Sequence, residues 1–292
     1  MISDITLGQF FPGNSPIHRL DPRTKIILTV VFIVAIFMAS NPVSLALVTL
    51  VTLLTVAASR TSIRVLLRAI KPIIIILFFT AVLNLLMTKG EGTPLFSWWI
   101  INIYKEGIIR AVFMAFRVVV LIIGTSVLLT YTTSPISLTD GIESLLKPLK
   151  LIGVPVHIFA MMMTIALRFI PTLIEETEKI MNAQKSRGAD FTSGSLVRRA
   201  KALIPILIPL FVSSFKRAEE LATAMECRCY RGDVNRTKLV KLTFKSVDLR
   251  YFMYAVIFMA AIVFFTFFSH TLPLPEIDWL KKTYAILTYR LQ

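Results

Sequence analysis

The chain has 292 residues, 55% of them hydrophobic, with 21 Phe, 11 Met and a mean hydropathy of +0.74. Charged residues make up 17%, where soluble domains carry about a quarter; a soluble globular domain is excluded and a polytopic membrane protein indicated. The formal net charge of +15 is clustered between apolar runs, where basic residues mark cytoplasmic loops or meet anionic lipid, with no need of nucleic acid.

The opening "MISDITLGQFFPGNSPIHRLDPRTK" lacks the apolar core and cleavage site of a signal peptide, so residues 1–22 are expected as a cytoplasmic segment. Apolar runs follow at 26–40, 43–58, 70–88, 107–132, 154–172, 202–215 and 249–269, and a span needs roughly 20 residues. The first two are short and flank the turn Ser40-Asn41-Pro42. As a hairpin of two crossings they keep both basic sets, His18, Arg19, Arg23, Lys25 and Arg60, Arg64, Arg68, Lys71, in the cytoplasm. The third run leaves from Lys71-Pro72 toward a loop with balanced Lys89, Glu91, Lys105 and Glu106 and interface-favouring Trp98 and Trp99, expected outside. The fourth returns. It carries Arg110 near its outer end and Arg117 at a depth that calls for a partner, Asn84 being one candidate.

If the fifth and sixth runs both crossed, the basic segment 173–201 would lie outside, against the charge rule. Neither is expected to cross. The sixth, "ALIPILIPLFVSSF", is short and broken by Pro205 and Pro209, which reads as the start of a helix buried on protein or lying at the interface. The last run crosses once more and leaves the C-terminus outside.

The fold expected is therefore all-α and polytopic, with about five transmembrane helices. Residues 23–135 form a four-helix membrane domain, 136–247 a helical cytoplasmic coupling domain, and 248–292 the last crossing and an external tail.

Two amphipathic helices are expected in the insert, from Pro171 to Arg187 and from Pro209 to Arg231. The second carries an apolar stripe of Phe211, Phe215, Ala218, Ala222, Met225 and Cys229. Each has an acidic pair, Glu175-Glu176 or Glu219-Glu220, and ends in Arg-Gly, as Ser186-Arg187-Gly188 and Tyr230-Arg231-Gly232, with the Gly at the left-handed stop. The units repeat at an interval of 44 positions. A basic last turn followed by Gly is also how ordinary helices stop, but two copies with matched acidic pairs favour a docking element. Arg is a rigid, permanently charged fork that can enter an acidic groove, and Gly lets the chain turn away. Met161, Met162 and Met163 are either core filler or an adaptable contact surface. Cys227 and Cys229 form a lone C-x-C without further ligands, and His18, His157 and His270 offer neither a metal pair nor a catalytic neighbour, so no metal site is expected.

The two Arg-Gly ends, standing where Ala-Arg-Gly is usual, and the N-terminal "SPIHRLDPRTKI" (Ser15 to Ile26) resemble the transmembrane T component of energy-coupling factor transporters, the EcfT/CbiQ family. The resemblance extends over essentially the whole chain. It implies a non-catalytic subunit of a prokaryotic cell membrane. Such a subunit joins a membrane-embedded substrate-binding S component to two cytosolic ABC ATPases, for uptake of a vitamin or similar micronutrient. It further implies that Arg187 and Arg231, with Gly188, Gly232, Ser186 and Tyr230, meet one ATPase each, that Met161–Met163 suit the S component, and that ATP is bound by the partner subunits, the chain itself holding no cofactor. The chain has no G-x-x-x-x-G-K-[ST] phosphate loop. An ABC permease that binds substrate itself would carry one coupling helix per chain, and a membrane-embedded enzyme would need carboxylates or nucleophiles inside a crossing; the sequence disfavours both.

Overall fold

The computed structural model describes residues 10–87, 96–98, 101–189, 191, 195–232 and 242–268. Trp99, most of the loop expected outside and the tail from residue 269, with the expected external C-terminus, lie outside the described residues. The protein is a helical, multi-pass membrane protein; the described strands are a short antiparallel hairpin, β1 (Phe96–Trp98) paired with β2 (Ile101–Ile103). It divides into two compact units, one of Phe10–Ser134 with Leu242–Gln292 and the other containing Pro135–Lys241.

The first unit contains α1 (Pro22–Met38), α2 (Pro42–Ser59), α3 (Ile63–Ile70), α4 (Ile74–Met87), α5 (Lys105–Thr125) and α9 (Ser246–Phe268). The starts of α1 and α2 follow from local chemistry. Pro22 sits at the first helical position, where its missing N–H costs nothing, and Asp21 accepts the Arg23 N–H at 2.9 Å. Asn41 and Ser44 form a reciprocal cap before α2, and Arg60 ends that helix at φ 55°. A short 3₁₀ turn, Lys71–Ile73, joins α3 to α4, and a wider π-type turn, Ser126–Tyr131, extends α5.

The core of this unit is apolar and centred on α1: Phe32, Ala35 and Ile36 pack with Leu45 and Val48 of α2, Val120 of α5 and Ile262 of α9. Gly124 lets α5 approach α1, because a Cβ there would stand 2.3 Å from the Phe32 ring. The outside is apolar too. α4 has no buried residue, with Ile75 74% and Phe78 73% exposed, as fits a helix whose surroundings are hydrocarbon.

The second unit contains α6 (Pro135–Leu146), α7 (Val156–Ser186) and α8 (Leu196–Cys227). α6 packs on α7 and α7 on α8. A 3₁₀ segment, Lys147–Ile152, and Gly153 at φ 85° bend the chain before α7. His157 pairs with the buried Glu143 at 2.9 Å, tying α7 to α6, so this histidine has a carboxylate neighbour the sequence did not reveal.

Two expectations change here, and the membrane spans meet a second criterion. Pro171 does not begin a helix; it lies inside the 31-residue α7, and Pro205 and Pro209 lie inside the 32-residue α8. A proline removes one backbone donor but leaves the next turn free to continue if the orphaned carbonyl finds a partner. Pro209 orphans the carbonyl of Pro205, and Gln184 Nε2 of α7 donates to that oxygen at 3.4 Å.

Secondly, five described helical segments are long and apolar enough to cross a membrane: 42–59, 63–87, 107–131, 156–186 and 246–266. By length and composition α7 therefore qualifies, against the expectation for 154–172, because its charges begin only at Arg168. α1, expected to cross, has 17 residues, the short end of what can span.

Thirdly, the face of α8 turned inward carries Ile206, Leu210, Ser213, Arg217, Leu221 and Met225 at helical spacing. Of the expected stripe Met225 lies on this face, while Phe211, Phe215, Ala218, Ala222 and Cys229 are exposed, Phe211 and Phe215 at 64% and 62%.

Candidate functional site

α7 and α8 run antiparallel. Near one end Gln184 meets Pro205; midway Glu176 accepts from Arg217 at 2.9 Å and from the Ser213 hydroxyl. Toward the other end Met161, Arg168 and Phe169 of α7 share a groove with Arg228, Tyr230 and Arg231. The two Arg-Gly pairs consequently sit at opposite ends of the helix pair, roughly 30 Å apart along the axis at about 1.5 Å per residue.

Their local structures also differ. At the end of α7, Arg187 is the cap residue, Gly188 is left-handed at φ 87°, and two bonds close the turn: Gly188 N–H to Lys185 O at 2.9 Å and Ala189 N–H to Gln184 O at 3.0 Å. This is the double-bonded Schellman stop. Ser186 donates to the Asn182 carbonyl at 3.1 Å, and Ser186, Arg187 and Gly188 are all exposed.

α8 ends in the same way, but earlier. Arg228 is the cap, Cys229 takes the left-handed position at φ 57°, and Cys229 N–H to Glu226 O (2.8 Å) and Tyr230 N–H to Met225 O (3.0 Å) close the turn. The expectation that Gly232 ends this helix is corrected. Equivalent cap positions are 41 apart, whereas the Arg-Gly pairs are 44 apart, so Arg231 and Gly232 lie just beyond the stop. A second left-handed residue, Gly232 at φ 73°, turns the chain there.

A Cβ on Gly188 or Gly232 would meet nothing within 4 Å, so what these positions require of glycine is the positive φ and not the space. The matched acidic pairs are not equivalent either: Glu176 is engaged by Ser213 and Arg217, while Glu219 and Glu220 are exposed.

The groove beside the α8 end holds about 600 Å³ and gathers Arg168, Arg228 and Arg231. Arg228 and Arg168 were missed by sequence reasoning; the three-residue step from Arg228 to Arg231 and the absence of Gly after Arg228 were the available signals. Of the three methionines, Met161 lines this groove and Met162 and Met163 turn out, 48% and 54% exposed.

Arg117 lies in the first unit and is 6% exposed. Its partner is not Asn84, whose amide donates to Thr80 of its own helix at 2.8 Å. One guanidinium nitrogen of Arg117 donates to the carbonyl of Ala39, the residue capping the C-terminus of α1, and the group stands 5.1 Å over the Phe113 ring. A cation on an orphan carbonyl at a helix C-terminus satisfies both the hydrogen bond and the dipole.

The motif "SPIHRLDPRTKI" builds a buried polar knot that sequence reasoning had used only as a signature. Ser15 Oγ meets His18 Nδ1 at 2.7 Å, and His18 Nε2 meets the Phe11 carbonyl at 2.9 Å. Lys25, 2% exposed, donates to the carbonyl of Thr132 at 2.7 Å. Asp248, 1% exposed, accepts from the Asp21 N–H at 2.9 Å and the Lys245 N–H at 2.8 Å, joining the start of α1 to the start of α9. The link from Asp21 across 227 positions to Asp248 was not legible in the sequence. No cluster of His, Cys, Asp or Glu among the described residues could hold a metal.

Residues 13–239 match the family model described as CbiQ, cobalt transport protein. The chain is 55% identical over 248 residues to the energy-coupling factor transporter transmembrane protein EcfT of Clostridium kluyveri, covering 85% of this chain and 92% of that one. Against the proteins of that name from Ruminiclostridium cellulolyticum and Bacillus subtilis the identities are 53% and 48%, covering 90% and 91% of this chain and 97% and 99% of theirs. With its helices, its capped Arg-Gly end and its N-terminal knot in view, the chain belongs to the EcfT/CbiQ family, the transmembrane components of energy-coupling factor transporters.

Proposed function

We propose that this transmembrane component is a non-enzymatic coupling subunit of an importer, transmitting the ATP-driven motion of two cytosolic ATPases to a membrane-embedded S component that binds a vitamin or similar micronutrient. In this reading Arg187 engages one ATPase and Arg231 the other. ATP is bound and hydrolysed by those partners, and residues 136–247 are the coupling insert. The N-terminus and the basic segments then face the cytoplasm, with the C-terminus outside, in keeping with the positive-inside rule.

One observation carries the reading: Arg187 and Arg231 are both exposed beside a glycine of positive φ, at opposite ends of an antiparallel helix pair. A permanently charged fork at each end suits two separate acidic grooves, and a rigid pair joining them converts a change in their separation into motion of the helices. Tyr230 and Ser186 flank the two arginines differently, which gives each end its own fit. The outward Met162 and Met163 offer the S component an adaptable apolar contact.

Co-purification tests it. Arg187→Ala with Arg231→Ala should lose ATPase association by about 2–4 kcal/mol per anchor and abolish transport, with the chain still inserted at normal level. Undiminished ATPases and normal uptake in the double variant would end the assignment.

A further inference from the structure

Two cavities of the first unit meet and have opposite chemistry. The first, about 690 Å³, is lined by four cations: Arg19 of the N-terminal segment, Arg60 at the end of α2, and Lys245 and Arg250 at the start of α9. All four are exposed, and among the described residues no carboxylate lines the cavity. The acids closest in sequence are turned inward: Asp248 is consumed by the N–H groups of Asp21 and Lys245, and Asp21 by that of Arg23. The second cavity, about 470 Å³, lies among α1, α2 and α9 and is lined by apolar groups such as Leu28, Val51, Leu54, Ala58 and Phe258, with Thr55 and two tyrosines the polar side chains among the described lining residues. Those tyrosines, Tyr251 and Tyr254, line both cavities, their rings 6.2 Å apart and edge to face.

We propose that this double cavity is a binding site for one anionic phospholipid, its phosphate headgroup among Arg19, Arg60, Lys245 and Arg250 and an acyl chain in the apolar groove. Each half excludes other occupants. An inorganic anion or a soluble nucleotide has no use for an apolar groove running along membrane helices, and a zwitterionic lipid brings no net charge to four unopposed cations. Tyrosines at the junction match the headgroup level of a bilayer, where an aromatic ring meets hydrocarbon on one side and water on the other. A juxtamembrane basic cluster attracts anionic lipid, and here the cluster is shaped by three separate chain segments. The bound lipid would bridge the end of α2 to the start of α9, beside the Asp248 knot.

The test is native mass spectrometry of the full chain in neutral detergent, titrated with phosphatidylglycerol, phosphatidylcholine or inorganic phosphate. Wild type should retain one phosphatidylglycerol saturably and phosphatidylcholine only at much higher concentration. Arg60→Gln with Arg250→Gln should weaken phosphatidylglycerol by roughly tenfold or more, as should the independent pair Arg19→Gln with Lys245→Gln. Leu54→Trp, which narrows the apolar groove from an exposed position, should weaken the lipid also. Equal retention of phosphatidylcholine, unchanged phosphatidylglycerol binding in both charge pairs, or no effect of Leu54→Trp would overturn the proposal. So would inorganic phosphate competing as well as the lipid, which would make this a free-phosphate site.

Discussion

Lys25, Arg117 and Asp248 of the first unit are 2%, 6% and 1% exposed and each is bonded to backbone groups at the end of a helix or turn, whereas Arg187 and Arg231 of the second stand exposed past or at a helix stop. Lys25, Arg117 and Asp248 finish the accounting of backbone donors and acceptors where water does not reach. The charges of Arg187 and Arg231 are left available. The same residue type, arginine, therefore has opposite consequences on removal: at 117 it strands a carbonyl inside the fold, at 187 and 231 it leaves the fold as it was and removes what a partner can grip.

The sharpest way to break that comparison is Asp248→Ala. It leaves the buried N–H of Asp21 and the part-buried N–H of Lys245 without their acceptor, and should cost about 1.5–3 kcal/mol of stability for each lost bond to the carboxylate, read by unfolding in detergent. A loss under about 1 kcal/mol would put Asp248 among the available charges and not the structural ones. Next is Gly124→Ala. The new Cβ meets the buried Phe32 ring, and overpacking of this kind costs about 1–3 kcal/mol; adding Phe32→Leu should recover part of it, which separates the clash from any general intolerance at 124.

How much of this could be read beforehand follows the same division. The helical, membrane-spanning character and the left-handed glycine after Arg187 are local: they depend on hydropathy and on residues a few positions apart. Arg117 was legible as a buried cation, but its partner was not, since the Ala39 carbonyl is a backbone group 78 positions away and any residue type would present it. The proline errors had a related origin. Pro205 and Pro209 read as breaks because the donor that takes the orphaned carbonyl, Gln184, belongs to another helix. The misplaced stop of α8 had a different one: glycine is the usual left-handed residue, so Gly232 drew the assignment, while Cys229 holds that conformation with a side chain present.

That last point yields a smaller pair of effects. Gly188→Ala should destabilise the end of α7 by about 1–2 kcal/mol, the cost of a left-handed residue with a Cβ, and Cys229→Gly should stabilise the end of α8 by up to about 1 kcal/mol. Hydrogen exchange at Ala189 and Tyr230, the amides that close the two stops, measures both. If Cys229→Gly instead loosens Tyr230, the thiol is holding the turn and the two ends are less alike than their hydrogen bonds make them.

The smallest effect is the most informative about use. Arg187→Ala together with Arg231→Ala should change the stability of the isolated chain by no more than about 0.5 kcal/mol, because both side chains are exposed. The Arg187 backbone N–H and the Gly188 conformation, which make the stop, survive the substitution. Arg117→Ala is the control in the same assay: it removes the donor from a buried helix end and must be visibly less stable. If the tip variant were destabilised as much as the Arg117 one, the tips would be holding the fold together. Their exposure could then no longer be read as availability to a partner, and the coupling assignment would lose its physical basis.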